Sequence, residues 1–67
     1  MKKVTDKQLQ GVSRMIDNYY GIEVDIGYTR ELVDGDDWLV QEIHDDAYGD
    51  TLVRSYVANK ISQNLIS

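Results

Sequence analysis

The single histidine of the chain, His44, stands in a stretch crowded with carboxylates, TRELVDGDDWLVQEIHDDAYGD, over residues 29–50. An imidazole oriented by a carboxylate is the pairing used for general-base work, and several such groups together can hold a metal. If residues 22–32 and 37–44 pair as strands, Asp25 lies across from His44 and orients its ring. That pair lacks a nucleophile. There is no cysteine, and Ser13, Ser55, Ser62 and Ser67 fall on helical segments or at the terminus, without a nucleophile elbow. A metal at His44, Asp45 and Asp46 is poorly supported, because neighbouring strand residues point to opposite faces. Asp34, Asp36 and Asp37 suggest a calcium loop. In an EF-hand frame starting at Asp34, however, Trp38 falls where an oxygen ligand is needed, Leu39 where glycine is needed, and Asp45 at the last position. The five glycines are scattered singly and form no phosphate loop. The expectation is a protein that is not an enzyme, with no catalytic or metal site and no cofactor.

The elements that position these side chains follow from caps and periodicity. Thr5 can cap the amide of Gln8 while Gln8 reaches back to Thr5, a capping box, and Val4 and Leu9 occupy the positions of a hydrophobic staple. Leu9, Val12, Ile16, Tyr19 and Tyr20 then recur at helical spacing with Met15 on the flank, and Gly21 stops the helix. Ile22, Val24, Ile26 and Tyr28 alternate with Glu23, Asp25, Gly27 and Thr29, the period of a strand with one buried face. A second strand runs from about Trp38 to His44, and Asp34-Gly35 between the two is a strong signal for a type I′ hairpin turn. After Gly49, Asp50 or Thr51 caps a last helix. Its apolar residues Leu52, Val53, Tyr56, Val57, Ile61 and Leu65 cover an arc of about 220°, wider than one small sheet needs.

These elements predict a single α+β domain over residues 1–67 in the order α-β-β-α, with helices at about 5–20 and 51–65 and strands at about 22–32 and 37–44. Both helices pack on one face of an antiparallel hairpin. A two-residue loop puts Ile22, Val24, Ile26, Tyr28, Leu39, Gln41 and Ile43 under the helices. It leaves Val33, Trp38 and Val40 on the open face, ringed by Glu23, Asp25, Glu31, Glu42 and His44. An uncovered tryptophan and two valines form a patch of the kind that marks an interface. Tyr56, Ile61 and Leu65 extend the candidate interface along the wide face of the last helix.

Composition narrows the partner. A chain of 67 residues buries only about 60% of its unfolded surface, so its core is thin, and without cysteine the staple that remains is oligomerisation, here a homodimer. Twelve Asp and Glu against seven Lys and Arg give a formal charge of −5, which argues against direct nucleic-acid binding. There is no apolar run that would span a membrane and no signal-peptide core, so the expected location is cytoplasmic. In kind, the chain resembles the compact, acidic, cysteine-free proteins that phages and mobile elements encode against host defence or repair enzymes. That resemblance rests on size and charge and on no motif. The function expected is a small non-catalytic protein-binding module, an inhibitor or adaptor acting as a homodimer on a host or phage protein. The alternatives are an acidic nucleic-acid mimic that fills a basic groove, and a homodimeric structural or assembly factor.

Overall fold

In the computed structural model, which describes residues 3–66 and side chains through residue 64, the chain enters its first helix at Thr5. The Thr5 hydroxyl accepts the Gln8 amide at 3.2 Å and Gln8 Oε1 accepts the Thr5 amide at 3.0 Å, so the capping box is complete. Val4 and Leu9 are both fully buried beside it. Helix α1 (Asp6–Tyr20) ends at Gly21, whose φ of 66° is left-handed and whose amide donates to the Asp17 carbonyl at 2.9 Å.

Beyond Gly21 the predicted hairpin does not form. Residues 21–25 are an irregular link, and α2 (Ile26–Asp34), α3 (Asp37–His44), a 3-10 turn (Ala47–Gly49) and α4 (Thr51–Ile66) follow. The described residues contain no strand, which overturns the α+β reading: the domain is all-α, with four helices. The physical reason is a series of aspartate caps. Asp25 accepts the Tyr28 amide at 2.7 Å and starts α2. Asp36 accepts the Leu39 amide at 3.1 Å and starts α3. Asp50 accepts the Leu52 amide at 2.8 Å at the start of α4. Each cap satisfies an amide that an isolated short helix leaves open. The Asp34-Gly35 dipeptide is a helix end: Asp34 is the last residue of α2, and Gly35 has φ −79°, where a type I′ turn needs a positive value.

With helical spacing, the apolar residues converge on one core. Leu9, Val12, Met15 and Ile16 come from α1, Leu32 and Val33 from α2, Leu39 and Ile43 from α3, and Val53, Val57, Ala58 and Ile61 from α4. Ile22, Val24, Ile26 and Tyr28, expected to line a sheet, pack around this core half-buried, and Gln41 is exposed. Tyr19 and Tyr20, expected in the stripe of α1, are exposed too. The Arg54 guanidinium covers the Tyr19 ring at 3.9 Å from its centre.

Polar side chains fasten the helices to one another. Thr29, the one buried polar residue among those described, donates its hydroxyl proton to the Asp25 carbonyl at 2.8 Å. The 3.1 Å contact between the Ser13 and Thr29 hydroxyls therefore has Ser13 as donor, joining α1 to α2. Arg30 of α2 reaches the Val4 carbonyl at 3.1 Å and the Asp6 carboxylate at 2.8 Å. Gln8 Nε2 donates to the His44 carbonyl at 2.9 Å and to Asp46 Oδ1 at 3.0 Å. Asp46 sits at φ 60°, a left-handed position that aspartate tolerates better than most residues. No described helix is long and apolar enough to cross a membrane.

One glycine is set by a close approach. A Cβ on Gly11 of α1 would lie 2.8 Å from Cε2, Cζ and Oη of Tyr48. Glycine inside a helix ordinarily costs about 1 kcal/mol relative to alanine. Gly11→Ala is therefore expected to give no gain in urea unfolding of the wild type but to recover about 1 kcal/mol in a Tyr48→Ala background. Equal effects in both backgrounds would show that Tyr48 does not press on α1.

Candidate functional site

The turn between α2 and α3 meets α4 at a cluster of four side chains. Asp36 caps α3 with one carboxylate oxygen. The other accepts a short hydrogen bond from the Tyr56 hydroxyl and lies 3.0 Å from Lys60 Nζ. Tyr56 and Lys60 stand one helical turn apart on α4, which lets both reach the same carboxylate. Trp38, two residues after the cap, lies against Tyr56 with ring centres 4.7 Å apart and planes tilted by 57°. Geometry of this kind is favourable for aromatic pairs.

The electrostatics fix the protons. The Tyr56 hydroxyl, together with the Leu39 amide and the Lys60 ammonium, holds the Asp36 carboxyl down to about 2 despite its burial. The same hydrogen bond raises the Tyr56 phenol above its ordinary value. Tyr56 is thus kept as a neutral donor to Asp36, and Lys60 has its charge balanced there. The Asp36 side chain is mostly buried, and that of Lys60 is about a third exposed. Apolar surface is exposed here on Trp38, at 39%, and on Leu52, one turn before Tyr56 on the same side of α4, at 68%.

The residues expected to form an interface do not share one face. Val33 is fully buried and Ile61 is 2% exposed, so both belong to the core. Val40 is half-buried against it. Glu23 and Asp25 lie in the link before α2, beside a shallow open groove of about 300 Å³ with Ile22, Val24, Tyr28 and Ile61 in its wall. Glu31 is exposed on α2, and Glu42 is half-buried on α3, one turn after Trp38. Asp25 is occupied as a cap, and the His44 ring faces Asp45 at 3.5 Å, so the expected imidazole–carboxylate pair across a hairpin is replaced by one between neighbours. The Leu65 side chain lies outside the described residues. Of the expected set, Trp38 and Tyr56 are brought together at the cluster, and Glu23, Asp25 and Ile61 line the groove beside the link.

Asp36, Lys60 and Leu52 are the members that sequence reasoning missed. Tyr56 and Lys60 carry an i, i+4 signal, but nothing local joins them to an aspartate 20 residues earlier. Among the described residues, no group of three or more His, Asp or Glu side chains is arranged to hold a metal ion. Comparison with known proteins finds no matching family model, no similar curated protein and no similar solved structure.

Proposed function

We propose that this chain is a protein-binding module of the inhibitor or adaptor kind, acting in the cytoplasm by occupying a partner's surface through the Trp38–Tyr56 face. The observation that carries the reading is a tryptophan 39% exposed, packed against a tyrosine whose hydroxyl is held by Asp36. A large aromatic held in place loses little freedom on binding, which is why such residues dominate the energetics of interfaces. Leu52 widens the apolar surface on the same side. The occupant is another protein, or a second copy of this chain in the homodimeric form of the proposal.

Trp38→Ala is expected to keep the helical circular dichroism spectrum and to weaken binding about 30-fold, the equivalent of a 2 kcal/mol anchor. Sedimentation equilibrium of the wild type and the variant separates the occupants. A dimer that Trp38→Ala dissociates puts a second copy on this face; a wild-type monomer at all concentrations leaves it to a different protein. Association that is indifferent to both Trp38→Ala and Leu52→Ala would sink the reading.

A further inference from the structure

We infer that the Trp38 face takes an arginine- or lysine-bearing segment of a partner protein, with the cation set on the exposed Trp38 ring and flanking basic residues met by Asp37 and Glu42. The inference rests on the reading of this face as a binding surface and adds the chemistry of what binds. Charge along the chain is strongly segregated. Residues 17–50 hold eleven of the twelve acidic residues and one base, Arg30, for a net −10, against +5 for the rest of the chain. Arg30 is itself engaged by Asp6 at 2.8 Å and Asp34 at 3.6 Å.

Trp38 therefore sits in the acidic segment on the side of α3 that also presents Glu42 one turn on, with Asp37 immediately before it. Lys60, bound to Asp36 at 3.0 Å, already sets its ammonium 5.8 Å from the centre of the Tyr56 ring, which leaves the Trp38 ring as the one open to an incoming cation. An exposed indole with carboxylates within one helical turn of it attracts a guanidinium or ammonium twice over, through the ring quadrupole and through charge. The chain already uses this chemistry internally, where Arg54 covers Tyr19. Of the α4 side chains next to Tyr56, Ser55 and Asn59 are uncharged, and the charge of Lys60, about a third exposed, is met by Asp36.

The test uses the intact chain and a displayed library of random peptides about a dozen residues long, selected on the wild type and counter-selected on Trp38→Ala. Because Trp38 is the only tryptophan, its fluorescence reports binding at this face directly. The expected result is a set of peptides enriched in arginine and lysine. Their affinity should fall at least about tenfold between roughly 0.05 and 0.5 M salt, and comparably in Asp37→Asn/Glu42→Gln. Trp38-dependent peptides that are apolar and indifferent to salt would overturn the cationic assignment while leaving the face as a binding surface. A selection that yields no peptide sensitive to Trp38 would overturn both.

Discussion

Val33→Asp is expected to unfold the protein at 25 °C, with loss of the helical circular dichroism signal. Val33 is fully buried in the core formed by all four helices. A carboxylate placed there is removed from water with no cation to meet it, since Arg30 is held by Asp6 and Asp34. Burying an unpaired charge costs several kcal/mol, and a domain of this size has only about 3 to 5 kcal/mol of stability to lose. The result also decides between topologies. In a hairpin, Val33 stands on the open face beside the turn and aspartate would be accepted there. A folded Val33→Asp with an unchanged spectrum would restore the hairpin, whereas Leu52→Asp, at a position 68% exposed, should stay folded and serve as the control.

Asp36 is the second position where one side chain matters to several elements. Asp36→Ala removes the cap of α3, the acceptor of the Tyr56 hydroxyl and the counter-charge of Lys60 together. The expected loss in urea unfolding is about 2 to 4 kcal/mol, the sum of a cap and a charged hydrogen-bonded contact. Acid titration gives an independent reading. The folded carboxyl titrates at about 2 against an ordinary 3.8, so it is the ionised form that folding favours. Its stabilisation, about 2 kcal/mol at most, is fully present above pH 4 and is lost as pH falls toward 2. Asp36→Asn keeps an oxygen for the cap but has no charge to titrate, and should lack that part of the acid limb. Identical acid limbs for wild type and Asp36→Asn would mean that Tyr56 and Lys60 do not hold this carboxylate.

How far the fold was legible depended on whether its signals were local. The first helix is legible because Thr5, Gln8, Val4 and Leu9 cap and staple within one turn, and Gly21 ends it by its own backbone freedom. The last helix was legible for the same reason, through Asp50 and the spacing of Val53, Val57 and Ile61. The middle misled because the alternation from Ile22 to Tyr28 spans an irregular link and the first turn of a helix. Short apolar runs satisfy both periods, and Ile26, Thr29 and Val33 also fit the helical one. Asp34-Gly35-Asp36 was equally ambiguous, since the residues that favour a hairpin turn also end one helix and cap the next. At the candidate site, Trp38 could be singled out by type. Its seat on Tyr56 and the tie to Asp36 could not, because they depend on how α4 returns across the α2–α3 turn.

Gln8 carries a consequence for how the molecule opens. Helix ends ordinarily fray one at a time, each exchanging its amide protons with solvent at its own low cost. The Gln8 side chain accepts the Thr5 amide with its oxygen and holds the His44 carbonyl and Asp46 carboxylate with its nitrogen. Releasing the first turn of α1 thus also frees the two groups that Gln8 holds at the end of α3. The two ends, 36 residues apart in sequence, are therefore expected to exchange with a shared opening free energy in native-state hydrogen exchange, and Gln8→Ala is expected to separate them.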